Sequence, residues 1–269
     1  PRRVTSAEEG EAAAQSLREE WLLGRDAIGD LMAICEQGGV EVFEITAGEE
    51  FSGISAWANQ RRPVIVIQRR AKDGARQRMD LAHEIGHLLV AEDSMPDIEP
   101  FVRRFAGAFL LPRETVVEEL GANRTSFTWA ELQSLKLRYG VSMQAWVRRA
   151  FDLGIITERH YRRICIAFNK ARKRKDEGEP YVRPERNDRP VRLASRAVAE
   201  GFMPKAEALK LAGISEKDLN GLVPESKASP ADERKASSMS RSERRQAVQE
   251  AAERSAAYYE KHPEEVLPD

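Results

Sequence analysis

The amino-acid sequence predicts an α+β fold that is mainly helical and contains a small antiparallel sheet. Three observations support this class: helical apolar periodicity before residue 38, short β-type runs between residues 40 and 68, and helical periodicity again from residue 76 onward. The 269 residues are enough for one large domain or for one domain with appendages.

Two helices and three strands are expected before residue 70. The first helix spans 7–23, and the second spans 27–37 with Asp26 as its N-cap. Alternating or β-branched residues between turn signals predict the strands 40–45, 54–59 and 64–68.

The segment 76–89, RQRMDLAHEIGHLL, is the most informative part of the chain. In a helix, His83 and His87 lie about 40° apart on one face, with Glu84 beside them. The chain has only four histidines and two of them fall here, so a metal site is a better interpretation than chance. The opposite face carries an apolar stripe that suits packing on a core: Leu81, Ile85 and Leu88.

An H-E-x-x-H helix can aim two imidazoles at one Zn²⁺ ion. Zinc lowers the pKa of a bound water, and a neighbouring carboxylate, here Glu84, can accept the proton as that water attacks a carbonyl. Two histidines do not complete a zinc site, so a third ligand is required.

Two carboxylates compete for the third ligand position, Glu99 and Asp93. Glu99 lies twelve residues beyond His87, in the first turn of a helix expected over 98–111, and the chain between them is long enough to return to the ion. Asp93 requires a sharp turn at Val90, and a continuing helix would place it about 240° away from His87. This geometry favours Glu99, with Asp93 as the alternative.

Two further helices are expected around the turn YGVS, over 128–140 and 142–153. The pair resembles a helix-turn-helix, and Arg148, Arg149 and the basic run 170–175 could contact phosphate. The same apolar positions suit helices packed on the rest of the domain, and a charge run is usually a solvated helix end. DNA binding is therefore the less favoured interpretation.

Composition divides the chain into four predicted parts. These are a core over 1–126, a helical part over 127–223 with short helices at 191–201 and 205–212, a flexible linker over 224–239, and an amphipathic helix with a tail over 240–269. A lone helix after a linker is marginal in water, so the last part is expected to dock on this protein, a second copy or a partner. A solvated, disordered extension is the alternative.

Charge and cysteine content restrict the class of protein. Lys plus Arg is 43 and Asp plus Glu is 44, so the net charge of −1 gives no general attraction to nucleic acid. Cys35 and Cys165 suit free thiols in a reducing cytoplasm. There is no signal peptide and no apolar run approaching the ~18 residues of a membrane span. We expect a soluble cytoplasmic protein.

Two sequence blocks resemble the signature of the ImmA/IrrE-type metallopeptidases. They are LAHEIGHLLV, over 81–90, and EPFVRRFAGAFLLP, over 99–112. The resemblance continues upstream through GISAWANQRRPVIVIQ and downstream through 135–157, and it covers roughly 12–223. It implies a zincin-like core and a zinc site with His83, His87 and Glu99 as ligands and Glu84 as the base.

The resemblance also implies a protein substrate, such as an Xre-like transcriptional repressor or an antitoxin. Longer relatives carry an N-terminal Xre-like DNA-binding domain, and no such segment is visible here. The second interpretation is a regulatory or toxin–antitoxin component whose zinc site is structural or silent.

Overall fold

The structure is a computed structural model, and it describes residues 1, 3–48, 50–69, 73–91, 94–171, 177–182 and 189–212. The chain divides into two compact units, Pro1–Asn187 and Asp188–Asp269. The helices of the first unit are α1 (Glu9–Glu20), α2 (Leu31–Gln37), α3 (Gly74–Leu89), α4 (Glu99–Leu110), α5 (Arg113–Leu120), α6 (Trp129–Tyr139), α7 (Met143–Asp152) and α8 (Glu158–Lys170). Its strands are β1 (Glu41–Ile45), β2 (Gly53–Ala58) and β3 (Arg62–Gln68).

The three strands form one sheet in the order β1-β3-β2. The mainly helical α+β class is confirmed, but the expectation of a wholly antiparallel sheet is wrong, because β1 pairs with β3 in parallel. Only β2 and β3 form an antiparallel hairpin. The chain reverses direction between β1 and β2 and again between β2 and β3, so β3 runs in the same direction as β1.

Helix α3 packs on one face of this sheet and against α4 on its other side. Asp73 caps its N-terminus by accepting a hydrogen bond of 3.0 Å from the Ala75 amide. Helix α3 begins two residues before the expected start and ends at the expected Leu89. The predicted apolar stripe is confirmed, since Leu81, Ile85 and Leu88 are all buried.

Helix α4 begins at Glu99, and α1 packs along it. The N-cap residue of this helix is Ile98, and the Asp97 carboxylate just before it accepts a hydrogen bond of 3.0 Å from the Glu99 amide. Helix α1 comes so close that a Cβ at Gly10 would lie 2.8 Å from the Phe105 amide nitrogen. This contact fixes the position of α4.

A partly buried ion-pair network joins α1, α4 and α7. Arg149 is 1% exposed and donates to both carboxylate oxygens of Glu11, and Arg104 also donates to Glu11. Arg148 pairs with Asp152 one turn away. The guanidinium of Arg149 therefore lies in the protein core, which argues against the less favoured possibility that Arg149 contacts phosphate. Most of the basic run 170–175 lies outside the described residues.

The two helices around YGVS are confirmed, with side-chain caps from Thr128 and Ser142. One face of α7 is buried, and the Glu177 carboxylate accepts hydrogen bonds from the Met143 and Gln144 amides at its N-terminus. In a DNA-reading helix-turn-helix the start of the second helix faces the major groove. The burial of α7 favours the packing interpretation of this pair.

The segment 177–182 also contacts the start of α3. Lys136 is buried and donates to Asp73 at 2.6 Å, and its amino group lies 3.5 Å from Glu177. The Gly74 amide donates to the Tyr181 carbonyl at 3.0 Å. Residues late in the first unit therefore support the N-terminal end of α3.

Some element boundaries differ from expectation. Helix α2 begins at Leu31 and is capped by Asp30, so the prediction of a start at 27 with Asp26 as cap is wrong. Helices α5 and α8 were not foreseen. In the second unit, α9 (Arg189–Ala199) and α10 (Lys205–Ala212) match the two expected short helices and pack through Ala194 and Ala208.

The four predicted parts remain a prediction, and the linker 224–239 and the tail 240–269 lie outside the described residues. Among the helices of the described ranges, none combines the length and the apolar character that a membrane crossing requires.

Candidate metal centre

The first unit carries an open cleft of about 520 Å³ between the start of β2 and the helices α3 and α4. One wall is the backbone at the start of β2, and the other is formed by polar side chains from the two helices. The lining residues are Ser52, Gly53, Ile54, His83, Glu84, His87, Glu99 and Arg103.

Three of these side chains converge on one point. The Nε2 atoms of His83 and His87 are 3.2 Å apart. The Oε1 atom of Glu99 lies 3.2 Å from His87 Nε2 and 3.6 Å from His83 Nε2. The structure thus brings together the three residues that the sequence favours as ligands, and this group could hold a metal ion.

The distances among these atoms suit a tetrahedral metal site. Bonds of about 2.0–2.1 Å at tetrahedral angles place neighbouring ligand atoms about 3.3–3.4 Å apart. The observed separations of 3.2, 3.2 and 3.6 Å lie close to that value. Two imidazoles and one carboxylate are also the donor types that zinc accepts in open, catalytic sites. The side chains of His83, His87 and Glu99 therefore fit a zinc ion.

Glu99 reaches this point because it occupies the first turn of α4, which the Asp97 hydrogen bond holds in place. Its second oxygen, Oε2, accepts a hydrogen bond of 3.2 Å from Arg103 one turn later. Such outer partners orient a ligating carboxylate. The alternative ligand Asp93 lies outside the described residues, so it stays the untested alternative.

Glu84 lies beside the two histidines and is only 6% exposed. Ser55 donates a hydrogen bond of 2.8 Å to Glu84 Oε2. Burial raises the pKa of Glu84, and the Ser55 hydrogen bond and the nearby His87 oppose that rise. A carboxylate with a raised pKa is a stronger base, which suits proton abstraction near neutral pH.

Burial lowers the pKa of His83, although the neighbouring Glu99 carboxylate opposes the shift. The lowered pKa keeps the imidazole neutral near neutral pH. Neutral imidazole is the form that binds a metal ion.

Sequence reasoning missed three residues that contact Glu84 or Glu99: Gly53, Ser55 and Arg103. Gly53 is required for close approach, because a Cβ there would lie 2.8 Å from Glu84 Cγ. Gly53 and Ser55 alternate along β2 and so face α3 together. Two small residues on one side of a strand were the available signal. Arg103 could have been found from its spacing of four residues after Glu99.

Residues 35–151 match the family model for Peptidase_M78, described as the IrrE N-terminal-like domain. The matched range includes the sheet, α3 with its H-E-x-x-H motif, and Glu99 at the start of α4. Among curated proteins, none matches the chain.

Proposed function

Because this chain belongs through its residues 35–151 to the ImmA/IrrE-type peptidases of the Peptidase_M78 family, we propose that it is a zinc-dependent endopeptidase. Its proposed substrate is a transcriptional repressor or antitoxin protein, whose cleavage changes gene expression. The family match supports a peptidase-family domain. The zinc ion, the catalytic residues and the substrate belong to our proposal.

The convergence of His83 Nε2, His87 Nε2 and Glu99 Oε1 beside the buried Glu84 carries this proposal. The three converging side chains would hold the ion. When bound, zinc polarises a peptide carbonyl and lowers the pKa of a coordinated water.

Glu84 performs the proton transfers in this proposal. Its carboxylate accepts a proton from the attacking water and then delivers it to the amine nitrogen that leaves. The Ser55 hydrogen bond holds Oε2, which leaves Oε1 to receive the proton. The low exposure of Glu84 excludes bulk water from competing for the same oxygen.

The substrate is proposed to lie as an extended strand along β2. Among the described strands, β2 pairs only with β3, and its other edge borders the cleft. Natural proteins commonly protect edge strands with charged residues or proline, and Gly53–Ala58, GISAWA, contains neither. Addition of a strand is a common mode of peptide recognition.

The decisive test compares the wild-type protein with Glu84→Gln, because glutamine keeps the size of glutamate and removes the base. The probe is a purified Xre-like repressor, the class of substrate proposed above. We expect both proteins to bind one zinc per chain and the variant to cleave roughly 10²–10⁴-fold more slowly. Glu158→Gln, at an exposed position on α8, is the matched control.

Zinc content is measured by mass spectrometry of the metal, and cleavage by the appearance of two repressor fragments. Equal cleavage by the wild type and Glu84→Gln would contradict the mechanism. Zinc binding without any cleavage by the wild type would support the alternative of a regulatory component with a structural or silent site.

A further inference from the structure

The face of the sheet that points away from α3 is apolar and exposed. Phe43 on β1, Val66 on β3 and Ile54 on β2 are direct cross-strand neighbours, so their side chains form one row on this face. Phe43 is 44% exposed and Ile54 is 60% exposed. No helix of the described residues buries this row.

The row is the centre of a larger patch with polar ends. Ile45, Val64 and Ala56 lie on the same face by register. At one end Arg62 pairs with Glu41, and at the other Gln68 exchanges hydrogen bonds with the Ala47 backbone.

Single exposed apolar side chains are ordinary on a protein surface, but a contiguous patch with a polar rim is typical of a binding surface. This patch also reaches the cleft, because Ile54 belongs both to the row and to the cleft lining. The face and the proposed site of cleavage therefore share a border.

A strand that pairs with β2 becomes the fourth strand of this sheet, and its side chains must alternate between the two faces. Residues opposite Gly53 and Ser55 face the side of Glu84. Residues opposite Ile54 and Ala56 face outward and extend the apolar row by one position. A polar side chain there would lose water against Ile54 without gaining a partner.

We propose that Ile54 and Ala56 select a substrate strand with apolar side chains at every second position, because these side chains complete the apolar row of the outer face. This inference rests on the proposed function and deepens it, since it names the sequence pattern of the segment that is cleaved. The occupant of the β2 edge is the substrate protein.

The test uses two fluorescent peptides of about eight residues, a usual strand length. They have the same composition, with valine and leucine alternating with serine in one peptide and grouped together in the other. Binding is measured by fluorescence anisotropy with zinc-loaded Glu84→Gln protein, which keeps the peptides intact. We expect the alternating peptide to bind at least about tenfold more tightly, a ratio that corresponds to the burial of one or two apolar side chains.

The variant is Ile54→Ser, which should remove most of this preference while zinc content stays unchanged. Two matched controls are available. Phe43→Ser removes an apolar side chain from the same row, but two strands away from the β2 edge, and Ile166→Ser removes a similarly exposed isoleucine on α8. Neither control should change peptide binding.

Several outcomes would overturn the inference: equal binding of the two peptides, no binding of either peptide, or an unchanged preference in Ile54→Ser. An equal loss in Phe43→Ser would show that the occupant covers the whole face. Light scattering would then identify a second copy if Ile54→Ser converts a dimer to a monomer. Peptide selection through Ile54 with no cleavage by the wild type would contradict the proposed function alone.

Discussion

The hydroxyl of Ser55 donates a hydrogen bond of 2.8 Å to Oε2 of Glu84, and this bond links the edge strand β2 to the helix α3. The strand that borders the cleft therefore also orients the proposed base. A change at Ser55 should affect the base without affecting the three side chains that would hold the metal.

Ser55→Ala removes this hydrogen bond and keeps the strand. Hydrogen bonds to a charged group contribute about 1.5–3 kcal/mol, so we expect kcat/KM for repressor cleavage to fall roughly tenfold or more. Zinc content should stay at the wild-type value. Ser16→Ala is the control, because the Ser16 hydroxyl donates its hydrogen bond to the Ala12 carbonyl of its own exposed helix turn. Wild-type kinetics in Ser55→Ala would show that Glu84 needs no orienting partner.

Gly53→Ala places a methyl group where Glu84 now lies. The new Cβ would be 2.8 Å from Glu84 Cγ and 3.0 Å from Oε1, so the Glu84 side chain must move away. We expect a loss of cleavage activity with little change in zinc content or thermal unfolding. Gly48→Ala is the control, since its Cβ would meet no atom within 4 Å. If the two alanine variants retain the same activity, the position of Glu84 is less restricted than the structure indicates.

Glu99→Ala should release most of the bound zinc, because it removes one of three protein ligands from the site. Asp93→Ala should retain it. Both proteins are purified in the same buffer, and their zinc content is measured directly. Full occupancy in Glu99→Ala combined with loss in Asp93→Ala would transfer the third ligand position to Asp93.

Glu11 should make folding stability depend on pH. Burial raises its pKa, but the ion pairs with Arg149 and Arg104 together lower it further, so the net pKa lies below the ordinary 4.5. A carboxylate with a lowered folded pKa stabilises the fold above about pH 4.5, and this stabilisation is lost as the pH falls through the folded pKa.

Glu11→Gln should therefore destabilise the protein on the order of 2–3 kcal/mol at about pH 7, because Arg149 is left buried without its carboxylate. The difference from the wild type should shrink at about pH 3.5. Urea unfolding in the presence of a chelator measures both values without a metal contribution. Glu19→Gln, on the same helix, is the exposed control. A difference that does not change with pH would mean that Glu11 acts through packing rather than charge.

The site was more predictable than the sheet, and the reason is physical. The spacing of His83 and His87 matters within one helix turn, so local periodicity is sufficient to place them together. Predicting Glu99 as the third ligand required only that the next helix bring the chain back to the histidines. The apolar residues of 98–111 already indicate that helix. The parallel pairing of β1 with β3 depends on contacts between segments more than twenty residues apart, and alternation within each strand is the same for either direction.

Other errors came from residues whose meaning depends on their neighbours in space. Asp26 and Asp30 are equally good N-caps by residue type. The N-cap of α2 is Asp30, whose side chain accepts a hydrogen bond from the Ala33 amide. Arginine commonly binds phosphate, yet Arg149 lies in the core because the carboxylate of Glu11, far away in sequence, neutralises its charge. No pattern within one helix reveals such a partner.

Helix α1 packs closely on α4 but lies outside the range that matches the family. The family match begins at residue 35, whereas Gly10 and Glu11 of α1 hold the helix that presents Glu99. A fragment cut to the matched range would keep His83, His87 and Glu99, the three described side chains that could hold a metal ion. It would lose the support that keeps Glu99 in register with the two histidines, so the domain that can be recognised by sequence is smaller than the domain that can assemble the site.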